Sequence, residues 1–202
     1  MKTLLNQEAL DFLKLHEVQV LDYSEISSIN DLYSHRTPFV LKVSSKKIHN
    51  KSDKNLVKFV QNHAEAEQHW HNIRKHGTVI KQRHSLGHEL LIQVVRGSSS
   101  KPSIIVGMSG VSVDFHRDFV ERKCPVTENS AKKMLKDLGV YDHISSYTGK
   151  PTKIDYLART IIQLSEIAVK ESNLVALEVN PFILNNRSGK VADAKIVLED
   201  NE

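Results

Sequence analysis

The sequence has a single cysteine in 202 residues, one tryptophan, eight glycines and only 6% aromatic residues. One cysteine, Cys124, excludes an internal disulfide framework and a thiolate zinc cluster, which suits a reducing compartment. A lone thiol acts as a nucleophile only with a base beside it in space, and no residue pattern marks one, so Cys124 reads as a packed thiol. No apolar run approaches the roughly 20 residues needed to cross a bilayer. Gln7, Glu8 and Asp11 stand where a secretory leader would be apolar. These absences make the cytoplasm the expected location, with no membrane partner.

A strong excess of charge of either sign is missing too. Lys and Arg number 28 against 24 Asp and Glu, for a formal net charge of +4. The basic residues are spread along the chain beside acids, and none form a run interleaved with aromatics that would stack bases, so no nucleic-acid partner is expected. The densest basic stretch runs from Lys46 to Lys58. Histidines are plentiful, with His63, His69, His71 and His76 crowded in one helical stretch. None are spaced i, i+4, the separation that places two imidazoles on one helix face, so a polar face is the better reading than a zinc site.

What is present is 40% hydrophobic residues, enough for one domain or two small lobes. Asn6 is placed to cap a helix carrying Leu10 and Leu13, followed by a strand over Val18 to Leu21. Pro38 introduces Phe39-Val40-Leu41-Lys42-Val43, a β-rich run holding one cation. A polar turn-like segment from Lys46 to Asp53 leads to a strand at Leu56 to Val60. Asn62 then caps a helix over Ala64 to Lys75, with Ala66, Trp70 and Ile73 on one face and Gly77 as its stop. Glu89 to Val95 and Ile104 to Val106 read as strands separated by the flexible break Gly97-Ser98-Ser99-Ser100, the expected hinge between lobes. Gly107 and Gly110 flank a turn where absent side chains permit close backbone approach. Thr127 caps a helix through Leu138. Thr152 and Asp155 form an approximate capping box for a helix whose Ile154, Leu157, Ile161, Leu164 and Ala168 share a face. Leu174 to Leu184 and Val191 to Leu198 form a hairpin around Asn185-Asn186-Arg187-Ser188-Gly189. The alternation of strands and helices predicts a mixed α/β (α+β) fold.

The most chemically pointed segment is Leu177-Glu178-Val179-Asn180-Pro181. Residues two apart on a strand share a side, so Glu178 and Asn180 do, and a short hairpin brings Asp193 near Asn180. Two carboxylates and an amide oxygen are hard ligands of the kind that hold Mg²⁺ with a nucleotide phosphate. The competing reading is a solvated strand face with Lys195 as an ion-pair partner. Pro181 fits a sheet edge or a strand end. Lys42 supplies the complementary charge: inside an apolar strand it either meets an anion or snorkels to water from an edge.

Taken in order, these segments resemble the ATP-grasp domain, or β subunit, of ADP-forming (NDP-forming) acetate- and acyl-CoA ligases, relatives of the succinyl-CoA synthetase β chain. The resemblance is carried by the Asn6 to Val18 helix, Val40-Leu41-Lys42-Val43, Lys51-Ser52-Asp53, Leu91-Ile92-Gln93 and the Gly107 to Gly110 turn. It continues through Arg122 with Pro125, Leu177-Glu178-Val179-Asn180-Pro181 and Asp193-Ala194-Lys195-Ile196-Val197-Leu198. It implies an ATP-grasp fold over 1–202, two small lobes each with a sheet and packed helices, the smaller over 22–97 and the larger over 1–21 and 102–202. It also implies that Lys42 and Lys51 contact nucleotide phosphates, that backbone groups of Gln93, Val94 and Val95 hold the adenine, and that Asn180 and Asp193 bind Mg²⁺ with Glu178 beside them. The implied cofactors are ATP/ADP and Mg²⁺. The implied partner is a CoA-binding α-type subunit or domain whose histidine carries the phosphoryl group.

Two departures from the family pattern stand out. Family members often read His-Lys-Ser/Thr-Asp followed shortly by two glycines, where this chain has Asn50-Lys51-Ser52-Asp53-Lys54-Asn55. An asparagine amide is no phosphoryl acceptor, so a catalytic relay would fall to His49 only with the loop slipped by one residue. The stretch from Arg96 to Pro102 is also shorter than in similar proteins. Together they keep a second reading open, a non-catalytic ATP-grasp binding or regulatory subunit.

Overall fold

The computed structural model describes residues 1–34, 36–45, 56–97, 101–109 and 118–200. It divides into two compact units, Leu21–Ser85 and the remainder, Met1–Val20 with Leu86–Glu202. The chain opens with strand β1 (Lys2–Leu5) and helix α1 (Gln7–Leu15), then builds the smaller unit. That unit comprises β2 (Tyr23–Ile26), α2 (Asn30–Tyr33), β3 (Phe39–Ser44), β4 (Val57–Val60), α3 (His63–Ile73) and β5 (Thr78–Arg83). The chain returns to the larger unit with β6 (His88–Val95), β7 (Ser103–Met108), β8 (Phe119–Lys123), α4 (Glu128–Lys136) and α5 (Tyr141–Ile144). The short pair β9 (Ser146–Tyr147) and β10 (Lys150–Pro151) precedes α6 (Ile154–Lys170), β11 (Leu174–Leu184), β12 (Gly189–Val191) and β13 (Ala194–Leu198).

In the smaller unit the sheet order is β2-β5-β3-β4, with every pair antiparallel. Phe39, Leu41 and Val43 alternate onto one face and form a core with Leu32, Val60, Ala66, Trp70, Ile73 and Val79. The Asn62 cap is present as expected. Its side chain accepts the Glu65 N–H at 3.0 Å, and the Glu65 carboxylate reaches back to the Gln61 N–H at 3.0 Å. Gly77 follows at φ 151°, where an added Cβ would lie 2.7 Å from the Ser44 carbonyl oxygen, so only glycine fits this exit.

The larger unit is built on a seven-stranded sheet of path β1-β13-β11-β6-β7-β8, with β12 pairing β11. Buried Ile92, Val94, Ile104, Val106, Leu177, Val179 and Ile196 alternate along these strands, and α1, α4 and α6 contact the sheet. The amphipathic stripe expected on α6 is its core face, with Leu157, Ile161, Leu164 and Ala168 buried. Arg96, just beyond β6, closes that helix. Its Nε donates to the Leu174 carbonyl at 2.9 Å, and its Nη2 donates to the carbonyls of Ala168 and, at 3.2 Å, Glu171. A cation at a helix C-terminus also complements the helix dipole.

Several local expectations are corrected. The smaller unit ends at Ser85, not near residue 97: β6 pairs with β7 and β11 and belongs to the larger sheet, so the chain crosses between units before His88. Asn6 precedes α1 but makes no side-chain cap; it sits at φ 49° and its N–H donates to the Ala194 carbonyl. Thr152 is not the cap of α6: Lys153 holds the N-cap position with no side-chain cap, and the Thr152 hydroxyl donates to the Ile144 carbonyl at 2.7 Å. Val18 to Leu21 contributes only a parallel bridge, Val20 to Val191. Pro181 is on an inner strand, not an edge. It lacks an N–H for the ladder and stands where the register of β11 with β6 shifts between Val179 and Phe182. Gly107 lies within β7, and the group that approaches it is the Phe119 ring of β8, 2.2 Å from where a Cβ would be.

Candidate functional site

In the larger unit the site begins at that irregularity in β11. Val179 pairs with Ala194, and the next N–H, from Asn180, donates to the Asp193 carbonyl at 3.0 Å, so the two residues are adjacent as the hairpin reading expected. Asp193 falls between β12 and β13, and its Oδ1 accepts the Ala194 N–H at 3.0 Å, which holds the carboxylate against the strand end. Leu177 and Val179 are buried, Glu178 is half-buried and Asn180 is exposed, so Glu178 and Asn180 both lie off the core face. The direct cross-strand neighbours of Glu178 are Lys195 and Gln93 rather than Asp193.

Sequence reasoning missed Ser109. This residue is 8% exposed, its N–H donates to the Glu89 carbonyl at 2.9 Å, and its hydroxyl donates to Asn180 Oδ1. It therefore orients the Asn180 carboxamide. The only signal in the sequence was its place inside the Gly107 to Gly110 segment.

In the smaller unit Lys42 is 4% exposed, with Val57 and Ile80 as cross-strand neighbours. Because β3 lies between β5 and β4, the reading of Lys42 as an edge-strand lysine is excluded. Gln93, Val94 and Val95 require a correction. They lie on an inner strand paired with Glu178, Leu177 and Ala176 on one side and with Ile105, Ile104 and Ser103 on the other. Backbone groups committed to two ladders do not remain to hold an adenine edge. His49, Asn50, Lys51, Ser52, Asp53, Lys54 and Gly110 lie outside the described residues.

A Mg²⁺ ion is tested against these donors. Among the described residues no group of three or more His, Cys, Asp and Glu side chains converges to hold a metal, so a dedicated metal cage is not formed. Asn180 and Asp193 nevertheless offer one neutral and one anionic oxygen donor from adjacent positions. That set suits Mg²⁺, which keeps waters and completes its shell with substrate phosphates.

The ATP-grasp domain family model matches residues 1–198. The chain belongs to the ATP-grasp family. The mixed α/β architecture of antiparallel sheets and packed helices is that of this family. The β subunit of acetate–CoA ligase (ADP-forming) I from Pyrococcus furiosus is 25% identical to this ATP-grasp chain over 98% of the chain and 92% of the subunit. Acetate–CoA ligase (ADP-forming) I from Archaeoglobus fulgidus is also 25% identical over 95% of the chain, and the match occupies 30% of that longer protein. Among solved structures, acetyl-coenzyme A synthetase 1 of Ca. Korarchaeum cryptofilum in complex with coenzyme A and Mg-AMPPCP matches with a TM-score of 0.87 at 27% identity. That match covers 98% of this chain and 93% of the other. No helix among the described residues is long and apolar enough to cross a membrane.

Proposed function

We propose that this ATP-grasp chain is the nucleotide-binding subunit of an ADP-forming acyl-CoA ligase of the acetyl-CoA type. The observation that carries the reading is the near end-to-end match, on both chains, with the P. furiosus ligase β subunit. The adjacency of Asn180 and Asp193 supports it.

In this reading the enzyme interconverts acyl-CoA, ADP and phosphate with free acid, CoA and ATP. The phosphoryl group travels on a histidine of a CoA-binding partner subunit. In the ATP-forming direction the bond from phosphorus to the imidazole nitrogen breaks while an oxygen of the ADP β-phosphate forms the new P–O bond. Asn180 and Asp193 would hold Mg²⁺, which when bound neutralises phosphate oxygens. Lys42 is assigned to the nucleotide phosphates on the resemblance, and its burial would strengthen its attraction for an anion relative to water. Ser109 keeps the Asn180 oxygen in one orientation, which lowers the cost of ordering it on binding. Lys51 is assigned to the phosphates on the resemblance alone.

The test is phosphorylation of the partner histidine from Mg·ATP, followed by acid-labile label. The expected result is transfer by the wild type and its loss in Asp193→Ala with the fold retained. An unchanged rate in that variant would sink the assignment. The substitution of Asn50 at the usual relay-histidine place favours one other reading, a binding subunit without catalysis. It would be supported by Mg·ATP binding with no transfer to any partner.

A further inference from the structure

The smaller unit contains a second cationic site that involves none of Lys42, Asn180 and Asp193. A pocket of ≈ 450 Å³ opens where β2 and β3 begin and β5 ends, and its lining includes Asp22, Arg36, Phe39, Lys81, Arg83 and His84. Lys81 lies on the inner strand β5 opposite Leu41, on the core-facing side of the sheet, and is 3% exposed. Its ammonium reaches the Asp31 main-chain carbonyl at 3.4 Å and stands 5.5 Å from the centre of the Phe39 ring. The Asp31 carboxylate accepts the N–H groups of Ser27 and Ser28 at 2.9 and 2.8 Å. Burial holds the Lys81 ammonium below its ordinary range, and the Asp31 charge works in the opposite direction.

The mouth repeats the same sign of charge. Arg36 is exposed, and Arg83 is 72% exposed with Asp22 as a distant partner at 3.9 Å. A pair that long and that solvated is weak, so the Arg83 guanidinium is available to a better acceptor. Among the described lining residues, Lys81, Arg36 and Arg83 thus stand against one carboxylate, Asp22. Guanidinium forks match the paired oxygens of a phosphate group, and an ammonium at the base adds a point charge that burial makes more effective.

We propose that this pocket is a binding site for a phosphate-bearing small molecule, with Lys81 at its base and Arg36 and Arg83 at its mouth. It does not rest on the nucleotide reading, because Lys42, Asn180 and Asp193 are not among its described lining residues. Lys81 neutralises the buried oxygens, the two guanidiniums close on the exposed ones, and Asp22 yields Arg83 to the ligand.

The test is calorimetric titration of the full chain with pyrophosphate in the absence of Mg²⁺, in a Lys42→Met background that removes one of the two proposed nucleotide-phosphate contacts. One equivalent is expected to bind. Adding Lys81→Met should weaken that binding at least tenfold, and Arg36→Ala with Arg83→Ala should do the same from the exposed rim, where folding is not at stake. Binding that survives both changes at full strength overturns the proposal, as does an absence of binding in the Lys42→Met chain.

Discussion

Arg96→Met tests what secures α6 in the larger unit. The guanidinium donates to three carbonyls, from Ala168 and Glu171 at the helix end and Leu174 at the start of β11. Its main-chain N–H reaches Val175 at 3.1 Å. Hydrogen bonds to a charged donor each contribute about 1.5–3 kcal/mol, and a cation at a helix C-terminus adds about 0.3–1 kcal/mol. Two nitrogens serve three acceptors at a half-buried site that water partly re-enters, so the expected loss is about 3 kcal/mol rather than the full sum. With a urea slope of roughly 2–3 kcal/mol per molar, the midpoint falls by about 1 M. Far-UV circular dichroism reports the helical transition, while Trp70 fluorescence reports the smaller unit. A loss below about 1 kcal/mol would refute the reasoning, since the bonds would then contribute no more than one neutral pair. A second readout is the Cys124 thiol. Burial pushes it up to about 11 and the charges of Arg96 and Lys123 pull it down, so Arg96→Met should raise it further.

Cys124 carries its own pH signature. The folded thiol keeps its proton up to about 11, against an ordinary value of 9.0. The unfolded chain therefore loses a proton first, stability falls as pH rises from 9.0 toward 11, and Cys124→Ala should flatten that part of the profile in pH-dependent melts. Alkylation of the native protein at pH 8 should likewise be far slower than that of the unfolded chain. Ser109→Ala removes the hydroxyl that orients Asn180. The loss of one neutral bond, about 1 kcal/mol, should weaken Mg·ATP binding about fivefold while leaving Mg²⁺-free nucleotide binding nearly unchanged.

Elements whose signals are local were legible in the sequence. The Asn62 cap, the stripe of α6 and the hairpin that joins Asn180 to Asp193 follow from spacing and turn chemistry alone. Strand β5 was not expected, because Lys81, Gln82 and Arg83 interrupt the apolar pattern, yet Lys81 and Gln82 are buried. The failure over Gln93, Val94 and Val95 has a related cause. Propensity identified the strand, but inner position depends on pairing with residues 103–108 and 174–184, which no local window contains. Asn6 and Thr152 have good capping chemistry, but the Asn6 main chain donates to the distant Ala194 carbonyl and the Thr152 hydroxyl donates to Ile144, eight residues back. Ser109 carried little signal beyond its place in the Gly107 to Gly110 segment, because its role depends on a residue 71 positions away.

The most direct measurement for the nucleotide site is the Mg²⁺ dependence of ATP binding by the purified chain, with Asp193→Ala, Asn180→Ala and Lys42→Met beside the wild type. The expected result is binding that requires Mg²⁺ in the wild type, loses that requirement and most of its strength in the Asp193 and Asn180 variants, and weakens in Lys42→Met with or without the metal. Wild-type affinity and metal dependence in Asp193→Ala would contradict it.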